Sequence, residues 1–165
     1  MIDFDHIEEY REDNRLEAKK AIGGLPHSIW ETYSAFANTM GGLILLGVAE
    51  MEDKSFAPVY LPDPEYLVEE FMLGVNDPKV VSANILGEDS VRIEQCQGRS
   101  IVVIDVPRAQ GTDFPVYCGG DPYSGSYYRC GEGDFRFPPY QVLRLLTHRG
   151  EAVCEDKSPS DNGDS

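Results

Sequence analysis

Two glutamates and a lysine near the N-terminus have residue types and spacing that suit phosphate chemistry. Glu12 and Glu17 lie five positions apart, and Lys19 follows Glu17 by two. On a strand, Glu17 and Lys19 share one face, because successive side chains alternate between faces. Paired carboxylates can hold Mg²⁺ or Mn²⁺ through hard oxygen ligands, and a nearby lysine can steady a phosphate. The alternative is that these side chains and Arg15 form a surface ion-pair cluster, in which each pair contributes only about 0–1 kcal/mol.

A second group of residues has the chemistry for binding nucleic acid, since Lys and Arg supply most of a protein's affinity for phosphate. Tyr127, Tyr128 and Phe135 interleave with two of the arginines, and aromatic rings beside arginines can stack on unpaired bases. The alternative is that these aromatic residues belong to the buried face of a strand. The basic candidates, provided that they converge on one face, are Arg11, Arg15, Lys19, Lys20, Arg129 and Arg136.

The net charge of −15 opposes a nucleic-acid interpretation, but the charge is unevenly distributed. Residues 50–94 carry eleven acids against three bases, whereas residues 95–150 carry six arginines against five acids. A locally basic face on an acidic protein is therefore compatible with the sequence. The alternative is a solvated acidic surface that keeps the protein soluble.

The composition indicates one cytoplasmic domain without a membrane segment. No apolar run approaches the roughly 20 residues that cross a bilayer. The N-terminus, Met1-Ile2-Asp3-Phe4-Asp5, is acidic and does not resemble a signal peptide. The four cysteines and three histidines are widely spaced, so we expect reduced, packed cysteines and no Cys/His metal site.

A strand that begins at Leu16 must position Glu12 and Glu17 against the rest of the chain. Gly23-Gly24 ends this strand. The capping-box spacing of Ser28 and Glu31 predicts a helix start. Helical periodicity then places four apolar residues on one face, and Gly41-Gly42 ends the helix. The apolar run 43–48 predicts a strand buried on both faces. The four residues of the helix face are Ile29, Tyr33, Phe36 and Met40.

Further elements complete an α+β pattern with about three helices and a mixed, largely antiparallel sheet of about six strands. Asp63-Pro64 predicts the start of a second helix, and Pro138-Pro139 the start of a third. Strands are predicted at Val80–Ile85, around 91–93, at 101–106 and at 126–130. We therefore predict one domain over residues 1–150 and a disordered acidic tail over 151–165.

Three segments of the chain resemble the Schlafen/Alba-type DNA-binding domain of bacterial regulators. Residues 35–48 read AFANTMGGLILLGV, which is similar to the family's AFANT-x-GG-x-x-x-x-GV signature. Upstream, Glu12 and Glu17-Ala18-Lys19 are similar to its E-x4-E-x-K element, with alanine where phenylalanine is common. Downstream, residues 127–131 are similar to its YYxR-x-G strand and turn. The resemblance covers roughly residues 8–148 and implies a Schlafen/Alba-like fold.

The resemblance implies contact with DNA or RNA, and it leaves three functions open. The first is a non-catalytic nucleic-acid-binding module, either a transcriptional regulator or an accessory domain, with no cofactor. The second is a Schlafen-type endoribonuclease that uses Mg²⁺ or Mn²⁺, with Glu12, Glu17 and Glu50 as catalytic residues and Glu12 and Glu17 as metal ligands. Here Glu50 stands near the position of an aspartate in those nucleases. The third is a protein-interaction domain that has kept only the fold.

Asn38 and Thr39 of the signature also have two interpretations. They can line a cleft beside Glu17 and Lys19 and contact nucleic acid. Alternatively, they cap the helix and tie the backbone at the turn, because a helix C-terminus carries partial negative charge and disfavours phosphate. A homodimer is a further expectation, since relatives of Alba-like domains often dimerise.

Overall fold

The computed structural model describes residues 2–157, with side-chain surroundings for residues 2–149. The strands are Leu16–Lys19 (β1), Gly42–Leu46 (β2), Val48–Glu50 (β3), Phe56–Pro58 (β4), Val91–Cys96 (β5), Arg99–Val106 (β6), Tyr127–Cys130 (β7) and Gly133–Arg136 (β8). The α-helices are Ile29–Asn38 (α1), Pro64–Val75 (α2), Pro122–Gly125 (α3) and Pro139–Lys157 (α4). This content confirms the predicted α+β class.

The strands form one central sheet and two small hairpins. The sheet has the order β1-β2-β6-β5, in which β1 is parallel to β2 and the other neighbours are antiparallel. The hairpins are β3–β4 and β7–β8. A mixed, largely antiparallel arrangement was predicted and is confirmed.

The strand predicted at Val80–Ile85 is wrong. This segment forms only an isolated bridge between Val81 and Cys118. The Tyr33 hydroxyl donates to the Ala83 carbonyl at 2.9 Å and accepts from the Ile85 N–H at 3.0 Å. Because a buried side chain satisfies these backbone groups, the segment packs against α1 without joining a sheet.

Two hydrophobic clusters cover opposite faces of the central sheet. One cluster packs α1 and α2 against side chains such as Ile44, Val102 and Ile104. The other packs the N-terminal segment, through Ile7, against side chains such as Leu45 and Val103. This two-sided burial confirms that the run after Gly42 is an interior strand, as its lack of alternation indicated.

Helix α1 has the predicted buried face but not the predicted cap. Ile29, Tyr33 and Phe36 are fully buried, whereas Met40 is exposed because the helix ends at Asn38. Ser28 adopts helical backbone angles and its side chain makes no capping bond. Its hydroxyl instead accepts a hydrogen bond from Lys19 Nζ at 3.1 Å. The predicted helix start is therefore confirmed, but the capping bond itself is absent.

Helix α2 begins as predicted, and Gly47 directs the chain away from the central sheet. Asp63 caps α2 by accepting from the Tyr66 N–H at 3.0 Å.

Gly47, between β2 and β3, has a φ of +93°, and a Cβ there would lie 2.7 Å from a Leu61 methyl. This turn allows β3 to leave the central sheet and carry Glu50 towards the start of β1.

The predicted boundary at residue 150 falls within α4, which continues to Lys157. The remaining tail, residues 158–165, lies outside the described residues, so its disorder stays a prediction.

Arg129, on β7, ties the second hairpin to β1 and α1. Its side chain is completely buried, and its guanidinium lies 4.9 Å from the centre of the Phe36 ring. Nε and Nη2 donate to the Asp13 carbonyl at 3.1 and 2.9 Å, and Nη2 also donates to the Leu16 carbonyl at 3.2 Å. Nη1 pairs with Asp134 at 2.8 Å and with Glu17 at 2.9 Å. Every nitrogen of the guanidinium is thus engaged.

Replacing Arg129 should destabilise the protein strongly. We expect Arg129→Met to lower the free energy of unfolding by about 3–5 kcal/mol, because two carboxylates lose their buried partner. Arg129→Lys should also be destabilising, since an ammonium cannot reproduce the fork of donors. Urea unfolding measures both changes, and Arg136→Met, at an exposed position, is the control. An Arg129→Met protein as stable as the control would contradict the assigned role.

Candidate functional site

Three carboxylates from distant parts of the sequence meet beside β1. Oxygens of Glu12, Glu50 and Glu132 all lie within 4.8 Å of one another. Glu12 comes from the segment before β1, Glu50 from the end of β3, and Glu132 from the turn between β7 and β8. We call these three residues the carboxylate cluster. Its spacing and its hard oxygen donors suit a divalent cation such as Mg²⁺ or Mn²⁺.

Glu12 is the carboxylate whose protonation the surroundings change most clearly. Its pKa is raised to about 7, mainly by burial and also by the negative charges of Glu17 and Glu50. The Ala18 N–H, which donates to Glu12 Oε2 at 3.1 Å, acts in the opposite direction. A bound cation would lower this pKa again, since positive charge favours the ionised form.

Glu17 lies close to Glu12, but its oxygens are engaged elsewhere. Oε1 pairs with Arg129 Nη1 at 2.9 Å, and Oε2 accepts from Lys19 Nζ at 3.4 Å. Both Glu17 and Lys19 have side chains that are largely buried. The structure therefore brings the three predicted acids, Glu12, Glu17 and Glu50, together. Glu17 was predicted as a metal ligand, but Glu132 lies in its place in the carboxylate cluster.

Glu132 was not predicted from the sequence, although one signal pointed to it. Glu132 lies between two glycines in the turn that directly follows β7. Once Arg129 is paired with Glu17, this turn must lie near β1. The pairing between distant charges was the missing information, because sequence spacing alone does not supply it.

Asn38 and Arg129 are internal residues and do not present donors to solvent. Asn38 Nδ2 donates to the carbonyls of Val116 at 2.8 Å and Tyr127 at 3.0 Å, while Oδ1 accepts from the Val116 N–H at 2.7 Å. Thr39 Oγ1 accepts from the Arg129 N–H at 2.9 Å. These contacts match the alternative that Asn38 and Thr39 tie the backbone together.

Four other basic candidates have exposed side chains. Arg11 and Arg15 flank Glu12, Lys20 follows β1, and Arg136 ends β8. Arg11 donates to the carbonyls of Glu8 and Tyr10, both at 2.9 Å. The Arg136 guanidinium lies 5.8 Å from the centre of the Tyr127 ring. These four side chains can reach a phosphate from the surface.

Arg15 also lines a groove of about 980 Å³ between the start of β1, the start of β2 and β5. Four carboxylates and two arginines line it, so phosphate is not its best-matched ligand. The charged lining residues are Asp13, Arg15, Asp89, Arg92, Glu94 and Asp105.

The aromatic residues of the second hairpin mainly pack against one another. Tyr127 is buried, and the ring of Tyr128 lies 5.1 Å from Phe137 and 5.8 Å from Phe135. Phe135 is 48% exposed and is the member of this group best placed to stack on a base. The interpretation as a buried strand face therefore describes Tyr127.

Among residues with described side chains, Cys96 is buried, Cys118 is half-buried and Cys130 is exposed, and all three are free thiols. Burial raises the pKa of the Cys96 and Cys118 thiols. Cys154 lies outside the residues whose side chains are described. No helix in the described region has both the length and the apolar character required to cross a membrane.

Comparison with solved structures supports the fold. The N-terminal domain of a protein from Nitrosomonas europaea, named as an ATP-dependent DNA helicase RecG-related protein, is 30% identical in sequence with a TM-score of 0.60. The match covers 77% of this chain and 84% of that domain. The DIP2311 protein of Corynebacterium diphtheriae has a TM-score of 0.52 at 13% identity, and this likeness concerns the fold alone. That match covers 82% of this chain but 24% of the other.

No curated protein matches the chain significantly. The family described as Schlafen, AlbA_2 matches residues 12–138, which include the carboxylate cluster, Arg129 and both hairpins. This span is well over half of the 165 residues. The chain therefore belongs to the Schlafen AlbA_2 family.

Proposed function

We propose that this domain binds nucleic acid, as a regulatory or accessory module. The observation that carries the proposal is the 30% identity over most of an N-terminal domain from a protein named as DNA helicase-related. An N-terminal domain of a helicase-related protein is suited to holding the nucleic acid on which another domain of that protein acts. The exposed side chains of Arg11, Arg15, Lys20 and Arg136 supply the chemistry for that contact.

The charge of the protein shapes how such a contact can occur. With a net charge of −15, the molecule as a whole repels phosphate. Arg129 cannot help, because its donors are already engaged inside the fold. We therefore expect binding to rest on Arg11, Arg15, Lys20 and Arg136, at short range and with strong sensitivity to salt.

Nucleic-acid binding can be tested by fluorescence anisotropy with duplex DNA, single-stranded DNA and a structured RNA at several salt concentrations. We expect affinity to fall as salt rises, with a slope proportional to the number of phosphates contacted. Arg15→Glu and Lys20→Glu should each weaken binding and flatten that slope. Lys79→Glu, an exposed lysine after α2, is the charge-matched control. The absence of binding to all three nucleic acids at low salt would contradict the proposal.

A second candidate function is divalent-metal-dependent cleavage of a phosphodiester, and the carboxylate cluster favours it. Glu12, Glu50 and Glu132 would hold the cation, which supplies Lewis-acid activation of water or phosphate. Because the pKa of Glu12 is about 7 in the metal-free protein, cation binding near neutral pH would release a proton from this carboxyl group. Lys19 is held by Glu17 and Ser28 and can contribute positive potential close to the cluster.

Cation binding should depend on pH and on the three clustered glutamates. We expect Mn²⁺ affinity, measured by titration calorimetry, to rise with pH through about 7, because the ion requires ionised Glu12. Glu12→Gln should bind more weakly and lose this pH dependence. Glu132→Gln should bind more weakly and keep it, and Glu50→Gln should bind more weakly and shift it to lower pH, because the Glu50 charge raises the pKa of Glu12. Glu52→Gln is the control. An Mn²⁺ affinity that changes neither with pH nor with any of the three substitutions would rule out the assigned site.

Cleavage itself is tested with single-stranded and hairpin RNA in the presence of Mn²⁺. We expect Glu132→Gln to reduce the cleavage rate without a loss of stability, because Glu132 is exposed and the ion pairs of Arg129 are with Glu17 and Asp134. Glu17→Gln is a poor probe, since it also removes a partner of a buried arginine. If wild-type protein binds Mn²⁺ but leaves RNA intact, the cluster binds a cation without catalysing cleavage.

A further inference from the structure

The outer edge of β5 is an open sheet edge in the described structure. β5 is the last strand of the order β1-β2-β6-β5, so only β6 pairs with it. The backbone groups along its other side have no backbone partner among the described residues. Open edges of this kind are ready to pair with another strand unless the sequence prevents it.

The register of the β5–β6 ladder fixes which backbone groups point outward. The Asp105 N–H donates to the Ser90 carbonyl at 2.7 Å, and β5 and β6 are joined by a two-residue turn at Gln97 and Gly98. Both facts place the even-numbered residues of β5 in hydrogen-bonded pairs with β6, because such pairs alternate along an antiparallel ladder. The outward N–H and C=O groups are therefore those of Val91, Ile93 and Gln95.

The side chains of β5 are arranged for pairing with an identical strand. Arg92 and Glu94 lie on one face of the sheet, where Arg92 Nε pairs with Glu94 Oε2 at 2.8 Å. Ile93 lies on the opposite face and is 36% exposed. In an antiparallel pair centred on Ile93, each Arg92 stands opposite the Glu94 of the second copy, and the two Ile93 side chains meet.

Neighbouring registers lack this complementarity. A register centred on Arg92 sets two arginines opposite each other, and one centred on Glu94 sets two glutamates opposite each other. Like charges directly opposite on a sheet are destabilising, whereas opposite charges stabilise it. Charge therefore selects the register centred on Ile93, in which all three outward-facing residues take part in six intermolecular backbone hydrogen bonds.

We propose that β5 pairs antiparallel with β5 of a second copy, so that a two-fold axis at Ile93 joins two four-stranded sheets into one sheet of eight strands. The interface is isologous, since the same strand serves both partners. The contact is confined to one strand edge, so we expect a weak dimer whose population rises with protein concentration. The basic residues of the proposed nucleic-acid contact lie outside β5, although Arg15 lines the same groove as Arg92 and Glu94.

Charge swaps on β5 test the pairing without removing any core side chain. By sedimentation equilibrium, we expect Arg92→Glu and Glu94→Arg each to weaken self-association by about tenfold or more, because two favourable cross-strand pairs become repulsive. Mixing these two variants should restore dimers, since every charged pair is then opposite in sign. The double variant Arg92→Glu/Glu94→Arg should also dimerise. Circular dichroism confirms that each variant is folded.

The controls separate this edge from other surfaces. Ile93→Pro removes one outward N–H that β6 does not use, and we expect it to abolish the dimer while the monomer stays folded. Arg144→Glu, on the exposed side of α4, should leave association unchanged. A wild-type protein that is monomeric up to millimolar concentration would overturn the proposal. A dimer unaffected by both single swaps would overturn it equally, because the interface would then lie elsewhere.

Discussion

The arrangement of the structure depends on one buried cation. The Arg129 guanidinium holds two backbone carbonyls of the segment around β1 and two carboxylates, Glu17 and Asp134, while stacking on Phe36 of α1. Asp134 also accepts a hydrogen bond from the Thr32 hydroxyl at 2.7 Å, which extends the network into α1. A buried charge is tolerated only when it is paired and fully hydrogen-bonded. The hairpin β7–β8, strand β1 and helix α1 must consequently keep one relative placement.

That placement has a direct effect on the candidate site. The turn after β7 carries Glu132, and the segment before β1 carries Glu12, so fixing Arg129 brings their carboxylates together. Both carboxylate oxygens of Glu17 pair with cations, one with Lys19 and one with Arg129. Glu17 is therefore not a member of the carboxylate cluster, which contains three acids. Burial, together with the negative charges of Glu17 and Glu50, explains why the pKa of Glu12 rises. The fold thus holds the cluster in a geometry that a cation would stabilise.

Local signals predicted the elements of the fold better than the contacts between them. Asp63-Pro64 marked the start of α2, and the apolar run after Gly42 marked an interior strand, because propensity and burial act over short distances. The capping bond predicted for Ser28 is absent, and its hydroxyl accepts a hydrogen bond from Lys19 instead. The strand predicted at Val80–Ile85 is absent because the Tyr33 hydroxyl satisfies backbone groups of that segment. Family resemblance located Glu12, Glu17 and Arg129. It could not separate residues that face solvent from those that hold the interior, because that distinction depends on partners far away in sequence.

The charges around Arg129 also constrain how this protein can change over evolution. Neutralising Glu17 or Asp134 alone leaves the buried arginine short of a counter-charge, and losing the arginine first leaves two acids facing each other. Each single step along such a path passes through a less stable intermediate. The three positions should therefore covary tightly among homologues, and should drift more slowly than the exposed basic residues from which nucleic-acid specificity would be built.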